Sequence, residues 1–318
     1  MNYDASAAEF FAKVTNADNF LQYNLSPYGR QNAEEYAAVS VGATRNPEIT
    51  DKIASRFADK FFTLTESGRS ALALAVESLG LQSGDEVWIE TTSNNLYVSG
   101  CVTSTIEKYC GWSRAFNKRK TKAILINHEF GFPVENAEEY REYGLPIIED
   151  CAYSFLSENT SGNLGESADF ILISFPKFLP VPWGGGLYSK KRLPPREVTE
   201  MKQLVRLVNH YARDLSFIKN LRQANHQIMG GLFSKHGLHQ RFEIRPNYVP
   251  GVFMMSTQLS QEHLHRAKLL LNSQGIQSSV FYGDSSYYVP CHQNLSDFDI
   301  EYIVNKTVNV LGVAHDPQ

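Results

Sequence analysis

Between about residues 60 and 190 the chain alternates short apolar runs with stretches whose apolar residues recur at helical spacing. The runs Phe61-Phe62-Thr63-Leu64, Glu86-Val87-Trp88-Ile89, Ala123-Ile124-Leu125-Ile126-Asn127, Leu145 to Glu149, Phe170 to Ser174 and Gly186-Leu187-Tyr188-Ser189 predict strands. A helix is predicted from Asn46 to about Lys60, on the spacing of Ile49, Ile53, Ala54 and Phe57. A second, rich in Ala and Leu, is predicted from Ser70 to Leu79, and a short one from Ala137. Strands alternating with helices imply an α/β fold: a mainly parallel sheet with helices on both faces.

The composition shifts after Pro194-Pro195. A long helical stretch is predicted from Arg196 to about Leu232. Then follow a strand at Gly251 to Met255, a helix from Gln261 to Asn272, a strand-like Gln277 to Tyr282, and a final helix from Asp297 to Leu311, capped by Ser296 or Asp297. The expected division is an N-terminal arm and large domain over residues 1–193, and a smaller α+β domain over 194–318.

Bulk numbers narrow the function. The chain has 318 residues, 42% hydrophobic and 20% charged, as an ordinary globular protein with a sizeable core has. A net charge of -4 provides no basic field, so nucleic acid is not expected as a partner. No apolar run approaches the roughly 20 residues needed to span a bilayer. The first residues, Met1 to Asp4, lack the blocks of a signal peptide. Cys101, Cys110, Cys151 and Cys291 show no paired spacing, which points to a reducing, cytoplasmic setting without a metal centre. His263 and His265 lie two apart on a predicted helix and do not share a face.

Candidate chemistry gathers at two strand ends. The strand through Ile147 and Ile148 ends in Asp150, and the strand from Phe170 ends in Ser174, with Lys177 three residues on. A buried carboxylate facing a lysine, with a hydroxyl beside that lysine, is what pyridoxal phosphate (PLP) chemistry requires: an amine for the Schiff base, an acid for the ring nitrogen, and a hydroxyl for the phosphate. Ser67-Gly68-Arg69-Ser70 lies where a strand turns into a helix, and free N–H groups there suit a phosphate. The loop lacks the Gly-Lys-Ser/Thr ending of a nucleoside-triphosphate site, and no Gly-x-Gly-x-x-Gly follows the first strand.

From about residue 46 to 190 the chain resembles the DegT/StrS family of PLP-dependent sugar aminotransferases. The resemblance is carried by Ser67-Gly68-Arg69-Ser70-Ala71-Leu72, Gly84-Asp85-Glu86-Val87, Thr121-Lys122-Ala123-Ile124, Asn127 to Pro133, Ile148-Glu149-Asp150-Cys151-Ala152, Ser174-Phe175-Pro176-Lys177 and Gly184-Gly185-Gly186. It implies the fold-type-I PLP-transferase architecture, a three-layer sandwich, with a smaller α+β C-terminal domain. It also implies that Lys177 forms the internal aldimine and moves protons, its pKa lowered by burial and by a cationic ring. Asp150 would pair with the pyridinium, and Ser67, Gly68, Arg69 and Ser174 would bind the phosphate. His128 reads either as a cofactor contact or as a structural histidine bonded to a neighbouring loop.

Some positions depart from the family pattern. Ser93-Asn94-Asn95 stands where the family places an aromatic over the ring, leaving Asn94 to line the cofactor and Tyr97 to supply any stacking. Tyr153 replaces a polar residue three past the aspartate. The family's Asn-Tyr-Arg segment after Ser189 is missing, with Asn247-Tyr248 its nearest stand-in. The expected activity is amino transfer from glutamate to a nucleotide-linked keto-sugar, in a homodimer and within polysaccharide biosynthesis. The alternative is a degenerate member that binds PLP or a sugar nucleotide without turnover.

Overall fold

The computed structural model describes residues 22–29, 32–41 and 48–312. Asn46, where the first helix is predicted to begin, and most of the N-terminal arm lie outside these residues. In chain order the elements are α1 (Ala33–Val41), α2 (Asp51–Ala54), β1 (Phe61–Thr65), α3 (Gly68–Ser78), β2 (Glu86–Thr91), α4 (Gly100–Ile106), β3 (Gly111–Ser113), β4 (Thr121–Asn127), β5 (Ile147–Asp150), β6 (Phe170–Ser174) and β7 (Gly185–Ser189). After these come α5 (Met201–Tyr211), α6 (Leu215–Ser234), β8 (His239–Gln240), β9 (Val252–Ser256), α7 (Gln261–Ser273), β10 (Ser279–Phe281), β11 (Ser286–Pro290) and α8 (Asp297–Leu311).

Seven strands form one sheet in the order β1-β7-β6-β5-β4-β2-β3. Strands β2 to β6 pair in parallel, whereas β7 runs antiparallel to both β1 and β6. The predicted mainly parallel α/β sheet is therefore present, with helices packed on two faces. Ala71, Leu72, Ala75 and Val76 of α3 pack with Val87, Ile89, Leu125, Ile148 and Leu172 on one side. Ile124, Ile126, Ile147, Ile171 and Ile173 meet Phe57, Phe155, Phe178 and α5 residues Leu204, Leu207 and Val208 on the other. Strands buried on both faces read as continuous apolar runs, which is why they stand out in the sequence.

A second, antiparallel sheet, β10-β11-β9-β8, carries a separate apolar cluster with α6, α7 and α8. The residue 22–29 segment joins it, with Tyr23 bridging to Ile276.

Three expectations differ in detail. The helix predicted up to Lys60 is one regular turn, Asp51–Ala54, followed by turns, although Ile53 and Phe57 are buried as their spacing requires. The stretch from Arg196 to Leu232 is two helices, because the Asp214 carboxylate accepts the Phe217 N–H and starts α6 afresh. Strand β11 carried no prediction. The expectation for the last helix holds: Ser296 and Asp299 form a reciprocal capping box.

Two histidines bear on acid stability. His226 of α6 packs its ring against Phe253 at 4.9 Å, and burial holds its pKa down to about 4. His292 is held down to about 3, first by burial. The unfolded chain binds protons at these positions near pH 6.5, so folding stability falls as pH drops from about 6.5 toward 4. Urea midpoints at pH 7 and pH 5 should show this loss, and a His226→Leu variant should show a smaller one.

Candidate active site

The parallel strands end along one edge of the large sheet, and the sequence-predicted residues are brought together there. β1 ends at Thr65, whose hydroxyl donates to the Ser67 carbonyl at 3.0 Å. Ser67 then caps α3, its Oγ accepting the Ser70 N–H at 3.2 Å. Next to it stands the end of β6. A Cβ built on Gly68 would lie 3.1 Å from the Ser174 Cβ, so the helix N-terminus and the Ser174 side chain face one space. The Ser174 hydroxyl makes no hydrogen bond among the described residues. Arg69 points outward and is exposed, so it adds no contact to this loop.

Gly185 makes this approach possible. A Cβ there would meet the Ser67 carbonyl carbon at 2.6 Å, the Gly68 nitrogen at 2.7 Å and the Ile173 oxygen at 2.7 Å. Neighbouring Gly184 donates its N–H to the Glu66 carbonyl at 3.0 Å and accepts the Phe175 N–H at 3.1 Å. Its φ of +100° is a conformation that only glycine adopts readily.

β5 supplies Asp150. One carboxylate oxygen accepts the Ala152 N–H at 2.9 Å, while the other has no hydrogen-bond partner among the described residues. Burial raises its pKa, and the Ala152 N–H, His128 and Lys177 act against that rise. Lys177 follows β6 on a single 3₁₀ turn. Its ammonium donates to the Tyr153 hydroxyl at 3.0 Å and lies 4.7 Å from the centre of that ring. The polypeptide's own groups raise the Lys177 pKa, with the Tyr153 oxygen the largest influence and burial opposing it. This is opposite to the downward direction expected from burial. The phenol, placed three residues beyond Asp150, outweighs desolvation.

Tyr153 sits under an aromatic roof from both sheets. Its ring lies 5.3 Å from that of Phe130, which contacts Tyr288 at 5.0 Å and Phe281 at 5.7 Å. Glycine again permits the packing, since a Cβ on Gly251 would come 2.3 Å from the Tyr153 ring.

His128 has both ring nitrogens committed. Nδ1 accepts the Val134 N–H at 3.0 Å, so Nε2 carries the proton and donates to Glu149 at 3.1 Å. Glu149 also accepts from Gly165 at 2.9 Å and from Ser167 at 3.0 Å. Cys151 Sγ lies within 4.8 Å of these ligand atoms, yet the donors already saturate the carboxylate and the imidazole. The cluster is a hydrogen-bonded support beneath the strand ends, and the structural side of the His128 expectation is the one that this geometry displays.

Asn94 stands in a left-handed turn (φ +55°) and is exposed. Its neighbour Asn95 is the anchored one, donating to the Tyr282 carbonyl at 2.8 Å. Tyr97 pairs with Tyr282 at 5.3 Å. Asn247 is exposed and Tyr248 is hydrogen-bonded to Glu135, lining a separate cleft of about 610 Å³ with Gln223, His226 and Arg245. None of the residues around Lys177 lines that cleft.

Sequence reading missed Arg222. It lies on the buried stripe of α6 with Ile218, Asn225, His226, Met229 and Phe233, and donates from Nη2 to the Lys177 carbonyl at 2.8 Å. The available signal was a set of polar residues recurring on an otherwise apolar helical face.

Known proteins were compared with this arrangement. No family model matches the chain. GDP-perosamine synthase from Escherichia coli O157:H7 is 28% identical over 143 residues, covering 39% of this chain and 39% of that protein. The chain thus spans well under half of that relative's length. The solved aminotransferase TlmJ from Streptoalloteichus hindustanus superposes with a TM-score of 0.71 at 16% identity, over 92% of this chain and 99% of that one. A DegT/DnrJ/EryC1/StrS aminotransferase from Brucella abortus gives 0.63 at 13% identity, over 100% of both chains. The fold is that of the fold-type-I aminotransferases. The resemblance to the DegT/StrS proteins thus extends from the local segments to the architecture, in a divergent chain.

The hold of Tyr153 on Lys177 is testable. In Tyr153→Phe the ammonium loses its acceptor, and the pH midpoint for Lys177 modification by trinitrobenzenesulfonate should move down. An unmoved midpoint would mean that the phenol does not set the lysine's charge.

Proposed function

We propose that the chain is a PLP-dependent aminotransferase that passes an amino group from glutamate to a nucleotide-linked keto-sugar. The observation that carries this reading is the convergence, on one sheet edge, of an amine, a half-satisfied buried carboxylate and a helix N-terminus with an open hydroxyl beside it. Each fits one part of PLP. Lys177 supplies the amine for covalent attachment. The open oxygen of Asp150 suits a protonated ring nitrogen, and its burial leaves it no strong competing partner. Ser67, the N–H groups at Gly68 and beyond, and Ser174 form a cradle for a phosphate.

When bound, PLP withdraws electrons from the carbon bearing the amine. The chain's own residues then have two tasks. Asp150 holds the ring nitrogen charged, so that the withdrawal persists. Lys177, freed from the ring, moves a proton at the substrate carbon, with the Tyr153 hydroxyl 3.0 Å from its amine as an adjacent acceptor and donor. The aromatic roof of Phe130, Tyr153 and Tyr288 keeps water from this centre. Arg69 and Asn94, both exposed, are placed at the rim of the cofactor site in this reading, and His128 is placed behind Asp150. The sugar substrate, the division at residue 194, a homodimer and a cytoplasmic setting all follow from the family resemblance. Among the described residues no helix is long and apolar enough to cross a membrane.

The protein mixed with PLP should develop a visible absorbance band. Borohydride should then leave a pyridoxyl adduct on the peptide carrying Lys177, and Lys177→Ala should show neither. In Asp150→Asn the band should still form while amino transfer falls about 100-fold or more, the scale of losing a matched acid–base or electrostatic group. A protein that takes up no PLP would instead support the degenerate reading.

A further inference from the structure

Arg222 is only 1% exposed, and it makes no ion pair among the described residues. A guanidinium has five N–H donors. Nε donates to the Gln293 side-chain oxygen at 2.7 Å, and Nη2 donates to the Lys177 carbonyl at 2.8 Å. The remaining three find no acceptor among the described residues.

Burying a charge without a counter-ion is expensive. Desolvation does pull the Arg222 pKa down, but only to about 10, so it is a cation at neutral pH. The groups it feels are Cys291 and Tyr153, and Tyr153 is the residue that holds the Lys177 amine. Counting formal charges here, Lys177 and Arg222 are positive and Asp150 is negative, leaving one positive charge in excess. Bridging α6 to the lysine turn does not explain the charge. Neutral Gln293 performs the same service one bond away, donating to the Phe178 carbonyl at 3.0 Å.

We infer that Arg222 is the carboxylate-binding residue of the site, gripping the carboxylate of the amino donor beside the carbon whose amine meets Lys177. Resting on the back of the lysine's own backbone, the guanidinium can reach only an anion one or two bonds from the reacting nitrogen. Its planar fork matches a carboxylate with two parallel hydrogen bonds. The inference rests on the aminotransferase reading for the identity of the ligand, and it makes Arg222 the residue that selects amino acids over simple amines. A phosphate of the acceptor is the other oxyanion with this chemistry.

The test has a binding arm that needs no turnover. Glutarate is titrated calorimetrically into the PLP-free protein, as wild type, Arg222→Gln and Arg222→Lys, with uridine diphosphate as a second titrant. Wild type should bind glutarate, and Arg222→Gln should bind it about 30-fold more weakly or worse, the scale of losing one side of a buried charged pair. Arg222→Lys should lose less, and uridine diphosphate binding should not change. In the PLP-loaded protein, the rate advantage of L-glutamate over propylamine in a single half-turnover should shrink by a similar factor in Arg222→Gln.

Equal glutarate binding in wild type and Arg222→Gln, or none in wild type, would overturn the inference, as would loss of uridine diphosphate binding instead. If Arg222→Gln does not fold, Arg222→Lys decides, through the shift in melting temperature that glutarate produces in it relative to wild type. Arg222-dependent glutarate binding in a protein that takes up no PLP would sustain the carboxylate site and reject the aminotransferase. PLP uptake with glutarate binding indifferent to Arg222 would do the reverse.

Discussion

One steric constraint organises the functional edge: the absence of a side chain at Gly185. Its Cα stands where a methyl group would strike three backbone atoms of β6 and the β1–α3 turn, the nearest at 2.6 Å. Because that space is free, the antiparallel β7 can slot between β1 and β6 and draw their ends together. The same approach sets the N-terminus of α3 beside Ser174, and three residues later it places Lys177. Interiors pack too densely to yield to a misplaced methyl. The positions of the hydroxyl, the amide donors and the amine thus follow from one contact.

The two adjacent acids of β5 show how a strand divides labour. Successive side chains point to opposite faces. Glu149, on one face, accepts from His128, Gly165 and Ser167 and is fully consumed. Asp150, on the other, accepts a single N–H from Ala152. The first acid supports the strand ends and the second is left able to act, although both are buried and chemically near-identical.

Much of this was legible in the chain. The strands of the large sheet are buried on both faces, so they appear as unbroken apolar runs, and the residues at their ends carry the chemistry. Asp150, Ser174, Lys177 and the Ser67-Gly68 turn could be found for that reason. Other features depend on contacts that no local pattern announces. The break between α5 and α6 rests on one cap by Asp214, a residue as common on solvated helix faces as at helix starts. Strand β11 is formed by pairing with β9 and β10 on either side. Arg222 looks like any helical arginine until folding seats it against the carbonyl of a residue 45 positions away. The upward pull on Lys177 needed the position of the Tyr153 oxygen, which spacing alone does not supply.

The seating of Tyr153 against Gly251 carries a mechanical consequence. Gly251 immediately precedes β9, donates its N–H to the Phe130 carbonyl at 2.7 Å, and leaves no gap beside the tyrosine ring. Phe130 itself holds a left-handed backbone (φ +52°), a posture with little slack for a bulky residue. A swing of Tyr153 away from the lysine therefore cannot be a private rotation of one side chain. It loads the first residues of β9 and the turn after β4 together, and so transmits the release of a single amine to the second sheet as a push on its backbone.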